Sequence, residues 1–303
     1  MNSINPFTHL RLYLANLALP ANAAFFVPCF GLGDRLRFLS YLHLFDLFNG
    51  CKSYLVFEEG SPRDILGFYP ELQQERTIIV PPDLILKPVD LHLHAMGDDR
   101  PGAQRIYFTW HKQYLGGQSL SWEQINHESV THDLMVKQIL GVPAVFTPKK
   151  IHTVDQAGGC EPVVYLAPYS VSNLGLPQAF WIGLADALVA AGLQVVCNGR
   201  TNGARNVWEH QQYDELLRRF PPVDCSLDEL VARVGRSRGI VTVRSGLSDL
   251  FSLTELPQVS LTHNRIGSFW RLPTTCDHQT EINVDHQPMP ETIQRIVRFL
   301  EDR

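Results

Sequence analysis

The stretch from Phe25 to Arg37 joins an apolar strand to a helix through two glycines, and it constrains the fold more than any other stretch. The strand-like run Phe25-Phe26-Val27 is followed by apolar residues at helical spacing, namely Leu36, Leu39, Leu42 and Phe45. Gly31 and Gly33 remove side chains where the strand turns into the helix and where a ligand can approach the backbone. The pattern predicts a strand–turn–helix unit of an open α/β sheet.

Asp34 directly follows these glycines, in the first turn of the predicted helix. The helix dipole favours a carboxylate there, and ligands of open α/β sheets bind at the carboxyl ends of strands. Asp34 is therefore a candidate general base toward a hydroxyl, with a simple helix-capping acid as the alternative. The neighbouring Arg35 and Arg37 either hold Asp34 ionised and receive phosphate, or are solvated helix residues.

Strand and helix patterns alternate on both sides of residues 141–161, a segment with prolines and a glycine pair that we interpret as a linker. Predicted strands cover residues 53–57, 77–80, 105–110, 163–167, 194–197, 239–243 and 259–261. Predicted helices include one from Ser61, one over 122–140, one ending at Gly192, one opened by the Ser226–Glu229 capping box, and one from Pro290. Apolar strands that alternate with helices favour parallel sheets wrapped by helices.

The chain has 303 residues, which suits two domains of about 150 residues each. We therefore predict the α/β class, with two Rossmann-like domains facing a cleft. Residues 1–155 form the first domain and residues 156–303 the second, with the last helix a candidate to pack back on the first.

A second strand–turn–helix unit carries the sequence Arg244-Ser245-Gly246-Leu247-Ser248. Backbone N–H groups at a helix N-terminus bind anions, and a guanidinium suits a diphosphate bidentately. These five residues are a candidate diphosphate site; the alternative is a capped helix beside an exposed arginine.

Charge and cysteine content exclude several classes of protein. The net charge is −5 without a Lys/Arg block, which argues against nucleic acid as a partner. The six cysteines form no CxxC pair, which indicates reduced thiols in a cytoplasmic protein. We see neither a signal peptide nor an 18-residue apolar span. The amphipathic segment from His9 to Leu19 suits packing on its own domain, with a peripheral membrane contact as the alternative.

We predict no metal and no cofactor. His92, His94, Asp98, Asp99 and His111 lie in a polar connection, and their spacing matches no closed metal site. The chain has no GxSxG elbow, Walker A loop or HExxH, and Gly31-Leu32-Gly33 does not complete a dinucleotide fingerprint.

Taken in order, these motifs resemble those of glycosyltransferases of the GT-B architecture, most closely the heptosyltransferase-like branch. The first domain carries the Gly-Asp turn of Gly31-Leu32-Gly33-Asp34. The second domain matches in a series of segments, namely Val164–Pro168, Phe180-Trp181, Val195–Gly199, Ser226–Leu230 and Ile240–Gly246.

The resemblance implies that Asp34 is the general base, with Gly31, Gly33, Arg35 and Arg37 on the acceptor or phosphate side. It also implies that the second domain holds a nucleotide sugar and that the sugar is transferred with inversion and without a metal. Asn198, Gly199 and Arg200 then join Arg244 to Ser248 as donor-binding candidates.

Two departures from the family pattern point away from heptose as the transferred sugar. The Asp-Thr-Gly turn with a following histidine is replaced by Arg244-Ser245-Gly246 with Asp249, and residues 168–178 lack the usual basic residue. Arg244, with Arg200 or Arg205, would take over the phosphate contacts.

The leading hypothesis is a glycosyltransferase that moves a sugar from a nucleotide-sugar donor to a hydroxyl of a surface glycan or lipid-linked acceptor. We expect such a bacterial-type enzyme of polysaccharide biosynthesis in the cytoplasm or at the inner membrane face. The alternatives are a polysaccharide pyruvyl transferase and a sugar-binding domain that keeps the fold without catalysis.

Overall fold

The structure is a computed structural model that describes residues 8–27, 31–61, 63–82, 84, 105–108, 131–151, 160–170, 175–199, 213–263, 272 and 277–302. The chain divides into two compact units, Met1–Lys149 and Lys150–Arg303. Among the described residues, each unit has one parallel β-sheet, and the boundary predicted between residues 155 and 156 falls outside the described residues. The predicted α/β class is confirmed.

The first domain has a parallel sheet in the order β3-β2-β1-β4. Its elements in chain order are α1 Thr8–Ala15, β1 Ala23–Val27, α2 Leu32–Asn49, β2 Lys52–Glu58, a 3₁₀ helix Asp64–Phe68, α3 Pro70–Glu75, β3 Thr77–Val80, β4 Arg105–Phe108 and α4 His132–Leu140. All five residues of β1 are buried, as expected for a central strand covered on both faces. Phe26 of β1 packs edge-on against Phe45 of α2, with ring centroids 5.0 Å apart.

Two helices of this domain differ from the sequence-based expectation. The helix predicted from Ser61 begins at Asp64 instead, because the Ser61 backbone N–H donates to Glu58 O and closes the turn after β2. Pro70 then opens α3 at a position where a missing N–H costs nothing. The helix predicted over residues 122–140 begins only at His132, because Thr131 is its N-cap and is not helical; residues 122–130 lie outside the described residues.

The second domain has a parallel sheet in the order β10-β9-β8-β5-β6-β7. Its elements are β5 Glu161–Ala167, α5 Gln178–Ala190, β6 Gln194–Asn198, α6 Asp214–Arg219, β7 Pro222–Val223, α7 Leu227–Val234, β8 Ser237–Val243, α8 Gly246–Ser252, β9 Gln258–Thr262, β10 Gln279–Asn283 and α9 Met289–Glu301. No pattern in the sequence had predicted α6, β7 or β10. The predicted capping box is confirmed, since Ser226 and Glu229 each accept the other's backbone N–H.

Trp181 and Leu184 of α5 pack in the core of the second domain, and α9 adds Ile296 and Leu300 to it. Gly192 follows α5 with φ +81°, the left-handed conformation predicted for it. Among the described helices of both domains, none combines the length and apolarity needed to cross a membrane.

The order of the strands indicates where a ligand would bind to each sheet. Counted within its own domain, the second sheet has the order 3-2-1-4-5-6 of a complete Rossmann fold, and the first sheet has its 3-2-1-4 part. The order reverses between β1 and β4 in the first sheet and between β5 and β8 in the second. Ligands of such sheets bind beyond the strand carboxyl ends at these switch points.

Candidate active site

Asp34 lies at the switch point of the first sheet, on the helix that follows β1. Gly31 is the N-cap of α2 and Asp34 is the acid of its first turn, as predicted. The Asp34 side chain is 16% exposed. Its Oδ1 is buried.

Gly31 is needed for the position of this carboxylate. A Cβ atom on Gly31 would collide with Asp34 Oδ2, since the side chain folds back over the helix N-terminus. The glycine therefore makes room for the acid itself. Gly33 is buried one position before Asp34, within the same turn.

His132, which was not among the predicted site residues, lies beside Asp34. Its Nε2 lies 3.2 Å from Asp34 Oδ1, and its side chain is 3% exposed. Thr131 caps α4, accepting the Leu134 N–H at 3.2 Å, and so fixes the turn that carries His132. A threonine at an N-cap position can be recognised in a sequence as a possible helix start. The contact between His132 and Asp34 cannot be recognised there, because it arises from the packing of α4 near α2.

Arg37 is a buried residue with 1% exposure, so the interpretation of it as a solvated helix residue is wrong. Its Nη1 lies 3.8 Å from Asp133 Oδ1. Asp133 also accepts a hydrogen bond from Tyr41 at 2.8 Å and pairs with Lys137 at 2.9 Å. Acceptor or phosphate roles for Arg37 and the half-buried Arg35 stay predictions, and for Arg37 any such role has to act from a buried position.

Two buried phenols lie in this part of the first domain. Burial and the neighbouring Asp133 raise the pKa of Tyr41, and burial raises the pKa of Tyr69. Both groups therefore stay protonated at neutral pH, and Tyr41 faces Asp133 as a hydrogen-bond donor.

In the second domain, the turn after β8 is organised by a buried ion pair. Arg244 Nη1 and Nη2 lie 2.8 and 3.0 Å from the two carboxyl oxygens of Asp249, and Arg244 is 3% exposed. The alternative of an exposed arginine beside a capped helix is wrong. Direct diphosphate binding by this guanidinium stays a prediction and requires the pair with Asp249 to open.

The hydroxyl of Ser248 is also engaged within this turn. It accepts hydrogen bonds from Arg244 Nη1 at 2.9 Å and from the Ser245 backbone N–H at 2.8 Å. Ser245, Gly246 and Leu247 are half-buried, so these residues present the accessible part of the predicted diphosphate site. Ser170, in the loop after β5, donates to Arg244 O at 3.3 Å and links the two loops that flank the switch point.

Asn198 and Gly199 lie at the end of β6. Asn198 is 4% exposed. A Cβ atom on Gly199 would collide with the Pro222 side chain, so close packing against β7 explains this glycine. Arg200 and Arg205 lie outside the described residues.

The predicted absence of a metal stays a prediction. His92, His94, Asp98, Asp99 and His111 lie outside the described residues, and the described part of the chain has no group of three or more metal-ligating side chains. Cys51, Cys160, Cys197 and Cys225 are free thiols. Burial raises the pKa of Cys197 to about 12, which makes this thiol unreactive at neutral pH.

The fold of the chain is similar to that of solved glycosyltransferase structures. No family model matches the chain, and no curated protein sequence matches it. Among solved structures, the Escherichia coli ADP-heptose lipopolysaccharide heptosyltransferase II matches with a TM-score of 0.61 and 14% identity, over 92% of this chain and 99% of that one. The E. coli heptosyltransferase WaaC with ADP matches with a TM-score of 0.55 and 14% identity, over the same shares.

The dodecameric iron-containing glycosyltransferase TibC of enterotoxigenic E. coli matches with a TM-score of 0.50 and 18% identity. The match covers 79% of this chain and 59% of TibC, so the chain spans about three fifths of that protein's length. Together the matches confirm the predicted heptosyltransferase-like glycosyltransferase fold.

Proposed function

We propose that the protein is a glycosyltransferase that moves a sugar from a nucleotide-sugar donor to an acceptor hydroxyl. The observation that carries the proposal is the position of Asp34, a partly exposed carboxylate in the first turn of α2 at the switch point of the first sheet. The heptosyltransferase-like fold supports it, because the chain covers 99% of two heptosyltransferase structures.

In the proposed reaction, the acceptor oxygen attacks the anomeric carbon while the bond from that carbon to the nucleoside diphosphate breaks. Asp34 takes the proton of the acceptor hydroxyl, and the helix dipole favours the ionised carboxylate that this step needs. One displacement from the side opposite the leaving group inverts the anomeric centre. We propose that no metal takes part.

The donor belongs to the second domain in this proposal. The strand order of the second domain is that of a complete Rossmann fold, with a switch point between β5 and β8. The turn from Arg244 to Ser248 lies there and is held by the ion pair between Arg244 and Asp249. Asn198, Gly199 and Arg200 remain further donor candidates. The WaaC structure contains ADP, so ADP-sugars are the first donors to test and ADP is the first nucleotide to test for binding.

For the acceptor, we propose a surface glycan or its lipid-linked precursor. An enzyme with such an acceptor would act in the cytoplasm or peripherally at the inner membrane face.

The test compares wild-type protein with Asp34→Asn in nucleotide binding and in sugar transfer. A saturating nucleotide diphosphate should stabilise both proteins, by about 2.7 kcal/mol at a hundredfold excess over Kd. Transfer should fall by about 10²- to 10⁴-fold in Asp34→Asn, the usual contribution of a general base. Glu75→Gln, an exposed acid on α3, is the matched control and should change neither property.

The outcomes separate the hypotheses. Full transfer by Asp34→Asn would remove Asp34 from the base role, and loss of transfer in EDTA would contradict a metal-independent reaction. Stabilisation by phosphoenolpyruvate rather than by nucleotides would favour a pyruvyl transferase. Nucleotide binding without transfer to any acceptor extract would favour a sugar-binding domain.

A further inference from the structure

The contact between Asp34 and His132 joins two helices of the first domain at the candidate base. His132 is the first residue of α4, and its Nε2 lies 3.2 Å from Asp34 Oδ1. Both His132 ring nitrogens and Asp34 Oδ1 are shielded from solvent, and Nε2 and Oδ1 lie at hydrogen-bond distance but not in hydrogen-bond alignment. In such surroundings a contact between a carboxylate and an imidazole N–H is stronger than the same contact in water.

We propose that His132 is a positioning residue for Asp34: a small rotation of its neutral imidazole brings Nε2–H into line with Oδ1, and the hydrogen bond so formed fixes the carboxylate. This inference rests on the proposed function, in which Asp34 is the base. The imidazole keeps its proton throughout, and the acceptor proton goes to the carboxylate alone.

The two oxygens of Asp34 have different surroundings, which supports this division of roles. Oδ1 is buried and faces His132, whereas Oδ2 lies over the backbone of Gly31. A carboxylate fixed through Oδ1 has one orientation, so its second oxygen is presented to the acceptor in a fixed geometry. Misplacing a catalytic group by about 1 Å can cost about 10²-fold in rate.

The structure also explains how His132 is held. Thr131 caps the first turn of α4. The neighbouring Asp133 accepts a hydrogen bond from Tyr41 and forms ion pairs with Lys137 and Arg37. Tyr41 and Arg37 belong to α2, the helix that carries Asp34. The same pair of helices is therefore fastened at consecutive residues of α4, which sets the distance between imidazole and carboxylate.

The experiment compares two amide variants that differ in reach. In His132→Gln the amide N–H₂ extends to the position of Nε2, whereas in His132→Asn it stops near the position of Nδ1. We expect His132→Asn to lower kcat by about 10²-fold with the KM for donor unchanged. His132→Gln should recover most of that loss, and His43→Gln, an exposed histidine of α2, should leave both constants unchanged.

A double variant tests whether His132 acts through Asp34. Asp34→Asn/His132→Asn should be no slower than Asp34→Asn alone, because no base remains to be positioned. Additive losses, equal losses in the Gln and Asn variants, or full activity of His132→Asn would each overturn the proposal.

A spectroscopic measurement tests the contact between His132 and Asp34 without relying on sugar transfer. Nitrogen-15 NMR of the full chain should show His132 as the neutral Nε2–H tautomer, with its ring signals shifted by Asp34→Asn. Ring signals of His132 that do not change in Asp34→Asn would contradict the proposed contact between His132 and Asp34. A wild-type protein that shows the pairing but transfers no sugar would instead contradict the proposed function.

Discussion

At the scale of single residues, Gly31 and Asp34 form one functional unit. The glycine has an ordinary extended backbone, with φ −71° and ψ 123°, so an alanine would fit the main chain. What an alanine side chain would meet is Asp34 Oδ2, the end of a flexible side chain. The carboxylate, rather than the backbone, has to move.

Gly31→Ala should therefore separate activity from stability. We expect Tm to change little, since a surface alanine at a compatible φ is nearly neutral. Transfer activity should fall, by about 10²-fold if the carboxylate moves by about 1 Å. Steady-state kinetics and thermal denaturation of the same preparation measure both effects.

Gly67→Ala is the matched control, because Gly67 is exposed in the same domain and a Cβ there meets nothing within 4 Å. It should leave transfer activity intact. Wild-type activity in Gly31→Ala would show that the carboxylate position is not set by this glycine.

The residues of this site differ in how well they can be predicted from the sequence. Asp34 could be identified because a strand, two glycines and a helix start are local patterns. His132 and the burial of Arg37 and Arg244 could not be identified, because each depends on a partner brought near by folding or on a competing ion pair. Arg244 in particular pairs with Asp249, and both of these residues were visible in the sequence without any sign that they bind each other.

At the scale of elements, the packing of α4 on α2 depends on a buried acid. Asp133 accepts from Tyr41 and pairs with Lys137, and both Asp133 and Lys137 are nine-tenths buried or nearly so. Removing one charge from a buried pair leaves the other without compensation, which is more costly than losing the pair as a whole.

Asp133→Asn should accordingly destabilise the protein by about 3 kcal/mol, since it removes the carboxylate that pairs with the buried Lys137 and faces the buried Arg37. The free energy of unfolding from urea denaturation at pH 7 measures this. A loss below about 1 kcal/mol would mean that the ion pair contributes no more than an exposed one.

Glu71→Gln provides the comparison with an exposed pair. Burial acts to raise the pKa of Glu71, but the hydrogen bond from Lys149, a backbone hydrogen bond and the nearby positive charges together outweigh it, so the pKa lies below its usual value. The pair therefore stabilises the fold above the pKa of the unfolded chain, and this contribution is lost as the pH falls through the folded-state pKa. Because both side chains are more than one third exposed, the expected cost at pH 7 is at most about 1 kcal/mol.

Elements with a clear apolar period were predicted, and those without one were missed. Strands β5 and β8 are apolar runs and were found, whereas β10 reads Gln-Thr-Glu-Ile-Asn and buries only Ile282. β10 lies at the edge of the sheet, where polar residues are expected and the period-2 signal is weak. β7 has two residues and is too short to have a period.

At the scale of the whole molecule, each domain has its own sheet and its own switch point. The alternation of strands and helices predicted parallel sheets, but strand order is set by crossovers that the sequence does not reveal. Under the proposed function, this order assigns the donor to the loops after β5 and β8 and the base to the turn after β1.

This assignment predicts where a nucleotide changes hydrogen exchange in the full chain. Saturating ADP should slow amide exchange in the turn from Arg244 to Asp249, because a bound ligand suppresses the local opening that exchange requires. Amides of Leu32 to Leu36, in the first domain, should exchange as in the free protein, since that turn is assigned to the acceptor. Adenosine without the diphosphate is the control and should protect residues 244–249 less. Protection of the turn beside Asp34 in place of residues 244–249 would move the donor to the first domain and would remove Asp34 from the base role.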